Sequence, residues 1–333
     1  MKAVFLCENA ARMQEVYHPG VLSRLQGMTD LDLARYSKAD VLANPERFAD
    51  VEIVFSTWGM PSFTEQEIRA CLPALRCVFY AAGSVQGFAR PFLHCGVKVF
   101  SAWAANAVPV AEYTVAQIVL AGKDFYCQTS LLNQKRFEDA ARRRGAHFGN
   151  YCKRVGLIGC GMIGSLVAEM LKPYDLEVMA YDPYMSEEKA ARLGVEQVEL
   201  DELFCTCSVV SNHLANNAQT KKMLGYAHFA SMPPYATFLN TGRGAQVDEA
   251  GLVRALTERP DLVAVLDVTD PEPSPADHPF YTLENCFLTP HVAGSMGGEV
   301  VRMAEYMADE LARYTGNKPT KYEVTEQMLA TMA

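Results

Sequence analysis

Three segments late in the chain end apolar runs in groups able to handle charge and protons. Phe238-Leu239-Asn240-Thr241-Gly242-Arg243-Gly244 carries a guanidinium between two glycines. Leu266-Asp267-Val268-Thr269-Asp270-Pro271-Glu272 carries three carboxylates, and Leu288-Thr289-Pro290-His291 an imidazole. An arginine can grip a carboxylate through two parallel hydrogen bonds, and the flanking glycines would leave Arg243 room to do so. A carboxylate beside His291 would favour the charged imidazole, which could give a proton to a carbonyl oxygen and take one back from a hydroxyl. Each residue alone also fits a plainer role, His291 as a loop histidine and Glu272 with Arg243 as a surface ion pair. Their common position at strand ends is the stronger signal.

A fourth segment supplies what such groups would work beside. In Val155-Gly156-Leu157-Ile158-Gly159-Cys160-Gly161-Met162-Ile163-Gly164 an apolar run stops at glycines spaced G-x-G-x-x-G, and good helix formers follow. Strand, tight turn and helix in that order suit a dinucleotide pyrophosphate, which the helix N-terminus faces. The next apolar run, Leu176 to Tyr181, ends in Asp182. An acid there accepts hydrogen bonds from ribose hydroxyls and repels a 2′-phosphate, favouring NAD over NADP. A purely structural Asp182, capping the turn before Pro183, is the competing reading.

The elements that must position these groups alternate between apolar runs and helical patterns. Strands are expected at 3–7, 51–57, 76–82 and 98–102, then at 154–159, 176–182, 207–214, 236–241, 262–268 and 286–291. Helices are expected at 64–71, 110–133, 164–172, 186–193, 221–230, 248–258 and 297–314. The fold class is therefore α/β: two Rossmann-like or flavodoxin-like domains with doubly wound parallel sheets. The helix at 297–314 has no place in a completed second sheet, so it should return to the first domain and make that domain discontinuous. The expected division is 1–104 with 297–333, and 105–296. The long helix at 110–133 is apolar on more than one face, which marks it for burial between domains or subunits.

Composition sets limits. The 333 residues are 50% hydrophobic and 21% charged, ordinary for a globular enzyme of two domains. A formal net charge of −9 argues against nucleic acid or an anionic membrane as the main partner. The run Arg142-Arg143-Arg144 reads as a solvated face. Ten cysteines without paired spacing fit free thiols, and no stretch is expected to approach a membrane span. A cytoplasmic protein is the expectation.

On these segments the chain resembles the D-isomer-specific 2-hydroxyacid dehydrogenase family. Asn240 to Glu249 matches that family's N-x-x-R-G-x-x-V-D-E motif, Thr289 to Gly294 its T-P-H-x-x-G motif, and Glu272-Pro273 the acid motif downstream of Leu266-Asp267-Val268. The resemblance implies Arg243, Glu272 and His291 as catalytic residues. For the cofactor, NAD, it implies Gly159, Gly161, Met162, Ile163, Gly164, Asp182, His213, Ala215, Thr241, Gly242 and Asp267. For the substrate it implies the loop Gly83-Ser84-Val85 with Arg243, and Trp58, on a loop at a strand end, is a candidate for the pocket wall. Met60 and Trp103 are further pocket candidates.

The sequence departs from the family pattern at Val85-Gln86-Gly87, where G-x-D is usual. It departs again at Ala215 for proline, Met162 for arginine and Met296 for threonine. The implied activity is NAD-dependent interconversion of a 2-oxo acid and a D-2-hydroxy acid, without a metal, in a homodimer built on the 110–133 helix. The alternative is a corepressor-like binding protein that uses the same fold to sense NAD. A formate-dehydrogenase-like reaction is disfavoured, because that branch has Gln where this chain has Glu272.

Overall fold

The computed structural model describes residues 1–147 and 149–330; Phe148 and 331–333, which fall within the expected domain ranges, lie outside the described residues. The chain divides into two compact units, Met1–Asn106 with Ser295–Ala333, and Ala107–Gly294.

In the first unit five strands run parallel: β1 (Lys2–Leu6), β2 (Asp30–Tyr36), β3 (Ile53–Ser56), β4 (Cys77–Tyr80) and β5 (Lys98–Ser101). Their order is β5-β4-β3-β1-β2, and Glu323–Val324 closes the edge antiparallel to β5. Every residue of β3 and β4 is buried, as expected of parallel strands covered on both faces. Phe55, Phe79 and Phe100 stack across three neighbouring strands at 5.6 and 4.7 Å between centroids. Strand β2 was not expected. Asp30, Asp32 and Arg35 interrupt its apolar residues, and only Leu31 and Tyr36 are buried.

The helix Val301–Thr315 belongs to this unit, so the unit is discontinuous. Met303, Ala304, Met307, Ala308 and Leu311 fall on one face at helical spacing, and all are fully buried in the first unit's core. Glu310 is buried beside them. Its carboxylate accepts the backbone N–H groups of Lys321 and Tyr322 at 2.7 and 2.9 Å, which fixes the chain leading to the closing strand.

In the second unit seven parallel strands follow: β6 (Lys153–Ile158), β7 (Leu176–Tyr181), β8 (Glu196–Gln197), β9 (Val209–Asn212), β10 (Thr237–Asn240), β11 (Val263–Leu266) and β12 (Cys286–Leu288). The order β12-β11-β10-β9-β6-β7-β8 reverses direction at β6, as in a doubly wound sheet. Six strands were expected; β8 is a two-residue exposed edge with no apolar run to announce it.

Two expectations about the segment between the units need correction. The helix at 110–133 is two helices, Trp103–Ala121 and Phe125–Asn133. The apolar pattern runs through the break, but Gly122 packs so closely on Asn150 that an added Cβ would lie 1.5 Å from its Oδ1. Asp124 then takes a left-handed φ of 54° and ends the run. Its buried carboxylate pairs with Arg143 at 2.8 Å, so Arg143 is an internal ion pair and not part of a solvated face. Trp103–Ala121 is also long and apolar enough to cross a membrane by length and composition, contrary to expectation, although more than half of its apolar window is buried within the protein.

Candidate active site

Parallel pairing brings one residue from each of six strands into a single row. Tyr181 pairs with Ile158, Ile158 with Asn212, Asn212 with Asn240, Asn240 with Leu266, and Leu266 with Leu288. The residue after each is Asp182, Gly159, His213, Thr241, Asp267 and Thr289. At the usual spacing of parallel strands this edge is about 24 Å long. Five of the six are residues assigned to the cofactor on sequence grounds.

At the β6 end, packing decides where glycine is needed. A Cβ on Gly164 would lie 2.0 Å from the Gly159 carbonyl oxygen. One on Gly159, whose φ is +88°, would lie 2.9 Å from the His213 carbonyl oxygen. A Cβ on Gly161 meets nothing within 4 Å. Two of the three glycines thus close the strand–turn–helix joint, and the third leaves an open cradle before the helix Met162–Leu171. The first N–H groups of a helix have no partner within it, so the cradle suits a pyrophosphate.

Asp182 does two jobs in the backbone. Its Oδ2 accepts the Cys160 N–H and its Oδ1 the Tyr184 N–H, both at 2.9 Å. The turn-capping role is real, and remaining lone pairs on the half-buried carboxylate can still meet a ribose. Cys160 itself is fully buried, and burial pushes its thiol up to about 11. Met162 is 46% exposed, so it closes no packing gap in the turn.

His213 lies low in the edge. Its Nε2 is 3.0 Å from Ser211 Oγ, its buried Nδ1 has no partner among the described residues, and burial lowers its pKa to about 4. It is a neutral imidazole.

Beyond it an amide network that sequence reasoning missed holds the arginine segment. Asn212 Nδ2 donates to Asn240 Oδ1 at 3.0 Å and to Gln246 Oε1 at 2.6 Å, and Gln246 Nε2 donates to the Leu214 carbonyl at 2.6 Å. Gln246 Oε1 also accepts the Arg243 N–H at 3.0 Å. The signal lay in two asparagines at strand ends and a glutamine in the turn after β10, but their mutual reach needs the strand order. The glycines beside Arg243 also act differently from expectation. A Cβ on Gly244 would lie 2.0 Å from the Thr269 carbonyl carbon, and one on Gly242 2.7 Å from Gln246 Oε1. They let neighbouring loops pack rather than clear space for the guanidinium. Among the described residues no carboxylate lies within ion-pair distance of Arg243, so the expected plain alternative, a pair with Glu272, is absent.

Glu272 meets His291 instead, Oε1 to Nδ1 at 2.6 Å, with both side chains 39–45% exposed. His291 sits at a left-handed φ of 53°. Asp267 builds the turn that puts it there. The Asp267 carbonyl accepts the His291 N–H at 3.0 Å. Its carboxylate accepts Thr289 Oγ1 at 2.6 Å, the Val292 N–H at 2.8 Å and the Ala293 N–H at 3.0 Å. Tyr113 extends this chain with its hydroxyl 3.0 Å from Thr289 Oγ1. Asp267 is 2% exposed, and its visible work is on the histidine loop.

In the first unit the loop Gly83–Val85 follows β4. Ser101 Oγ donates to the carbonyls of Ala82 and Gly83 at 2.9 and 2.6 Å, which fixes the loop's path. Val85 is fully buried, and Gly83 and Ser84 are the accessible residues of the loop. Trp58 and Met60 pack on the first unit's core, and Trp103 packs edge-on against Tyr322.

Residues 115–293 match the model of the D-isomer specific 2-hydroxyacid dehydrogenase, NAD binding domain. The chain belongs to this dehydrogenase family. Its second unit is the family's NAD-binding domain, and the open Gly161 cradle fits that cofactor. A glyoxylate reductase of Korarchaeum cryptofilum is 29% identical over 299 residues, covering 88% of this chain and 89% of that one. A D-3-phosphoglycerate dehydrogenase of Archaeoglobus fulgidus is 28% identical over 229 residues, 69% of this chain and 43% of that one. The chain therefore spans less than half the length of the phosphoglycerate dehydrogenases it matches. D-mandelate dehydrogenase of Rhodotorula graminis superposes with a TM-score of 0.81 over 98% of each chain at 19% identity, a likeness of fold.

Proposed function

We propose that this family member interconverts a 2-oxo acid and its D-2-hydroxy acid with NAD. The observation that carries the reading is the 2.6 Å contact between His291 Nδ1 and Glu272 Oε1. With Nδ1 engaged, Nε2 is the nitrogen left to exchange a proton with the substrate oxygen, and the carboxylate stabilises the imidazolium. NADH, when bound, supplies the hydride that the substrate C2 receives. Arg243, without an acidic partner among the described residues, binds the substrate carboxylate and polarises the adjacent carbonyl. The backbone of Gly83, Ser84 and Val85, with Trp58, contributes to substrate binding. Asp182, Gly159, Gly161, Met162, Ile163 and Gly164 hold the adenosine and pyrophosphate; His213, Ala215, Thr241, Gly242 and Asp267 line the rest of the cofactor.

The test is NADH oxidation with glyoxylate, hydroxypyruvate and 2-oxoglutarate on purified protein. Turnover of at least one acid, abolished when His291 is replaced, is the expected result. Tight NADH binding with no turnover of any 2-oxo acid would leave a binding protein and end the enzymatic reading. The same reading carries a homodimer, with its contact on the two helices that replace 110–133, where Phe125 and Leu132 are exposed. Light scattering on the eluted protein that returned the mass of one chain would overturn the dimer.

A further inference from the structure

Cys160 is gripped through its backbone by two opposite charges. Its N–H donates to Asp182 Oδ2 at 2.9 Å, and its carbonyl accepts Lys189 Nζ at 2.5 Å and Ser165 Oγ at 2.8 Å. The thiol registers both, since after burial Asp182 is the next influence raising its pKa and Lys189 lowers it. Yet Lys189 and Asp182 are not an ion pair. Among the described residues Lys189 has no carboxylate within 4.0 Å, so its ammonium is positioned without being neutralised directly. The half-buried Lys189 also lines a cavity of about 240 Å³ with Ser186, Glu188 and Arg192, on the segment that follows Asp182.

We propose that Lys189 is a coenzyme-discriminating residue: a latent cation for a ribose 2′-phosphate, held out of use by the Asp182 carboxylate. Asp182, one residue past β7, repels a phosphate ester at the ribose 2′ position. Lys189, anchored one peptide unit away, attracts it, with Arg192 adding to the attraction and Glu188 opposing it. NAD, with only hydroxyls there, is indifferent to the balance. Removing the charge of Asp182 should therefore expose a phosphate preference that Lys189 supplies. The inference rests on the NAD-binding assignment and not on the substrate.

Direct fluorescence titration of NADH and NADPH, with no substrate present, tests it in D182N, D182N/K189M, D182N/K189R and K189M proteins. Asparagine keeps an amide oxygen for the backbone while losing the charge. D182N should bind NADPH about tenfold more tightly than the natural protein. D182N/K189M should lose most of that gain while its NADH affinity stays within about threefold of that of D182N, and D182N/K189R should keep the gain. Equal weakening of both coenzymes by K189M would mean that Lys189 only braces the turn, and the proposal would fall. It would fall equally if D182N gained no NADPH affinity, or if D182N/K189M kept the gain intact. Should D182N melt below the assay temperature, K189M alone decides by whether NADPH affinity falls more than NADH affinity.

Discussion

Two histidines follow strands of the same parallel sheet, and their surroundings give them opposite chemistry. His213, one residue past β9, is half-buried, with its buried Nδ1 unpartnered among the described residues and its pKa down at about 4. His291, three residues past β12, is largely open to solvent and has the Glu272 carboxylate 2.6 Å away. Position at a strand end therefore brings a side chain to the site, and burial with partners decides what it can do there. A neutral, half-buried imidazole packs beside the glycine turn. An accessible imidazole with a carboxylate on one nitrogen can carry a proton on the other.

The sharpest way to break this contrast is to remove the accessible histidine. His291→Ala should lower kcat for 2-oxo acid reduction by about 10³-fold, the size typical of losing a general acid. NADH affinity measured by fluorescence should stay within a few-fold. A variant that kept turnover would move the proton chemistry elsewhere. The carboxylate comes next. Glu272→Ala should cost about 10²-fold in kcat, because the imidazole loses the acceptor that sets its tautomer and orientation. Glu272→Gln should recover part of that loss, since its Oε1 can still accept from Nδ1. Equal losses in the two variants would show that hydrogen-bond acceptance is not the operative property.

Asp267 sharpens the comparison from beneath. It is nearly fully buried, and four groups bond to it, three to the carboxylate and the His291 N–H to its carbonyl. Asp267→Asn offers one acceptor oxygen where two were used. The buried N–H groups of Val292 and Ala293 compete for it, a loss of about 1–3 kcal/mol in unfolding free energy. Denaturant unfolding should report that loss, with a drop in kcat larger than any rise in the NADH dissociation constant. If NADH affinity fell most, direct contact with the cofactor would be the main role of Asp267.

How far the sequence could be read follows from the range of the interactions. Gly159 to Gly164, Asp182 and the Arg243, Glu272 and His291 segments are local signals, because turn geometry and side-chain chemistry appear together in a few residues. The row from Tyr181 to Leu288 requires strand order, yet alternating apolar runs were enough to expect it in outline. What stayed hidden was long-range or short. The Asn212–Asn240–Gln246 network joins two strand ends and the turn after β10, and Lys189 reaches back to Cys160 across a helix, a strand and a turn. The break at Gly122 is set by Asn150, a neighbour no periodicity reveals. The glycines beside Arg243 show the same limit: their residue type was legible, and the loop that requires them was not.

The last effect is read in stability against pH, and its sign is fixed by the environment of His213. His213 has a folded-state pKa of about 4 against 6.5 in its ordinary state. The unfolded chain therefore takes up this proton first as pH falls. The stability tied to the neutral imidazole is complete above about 6.5 and drains away as pH drops toward 4, by about 3 kcal/mol at the limit. Asparagine at this position has nothing to titrate. In His213→Asn the fall in unfolding free energy between pH 6.5 and 4 should become shallower by up to that amount. Chemical denaturation at several pH values measures it. An unchanged slope would mean that His213 reaches water in the folded protein, and the contrast with His291 would then rest on the carboxylate alone.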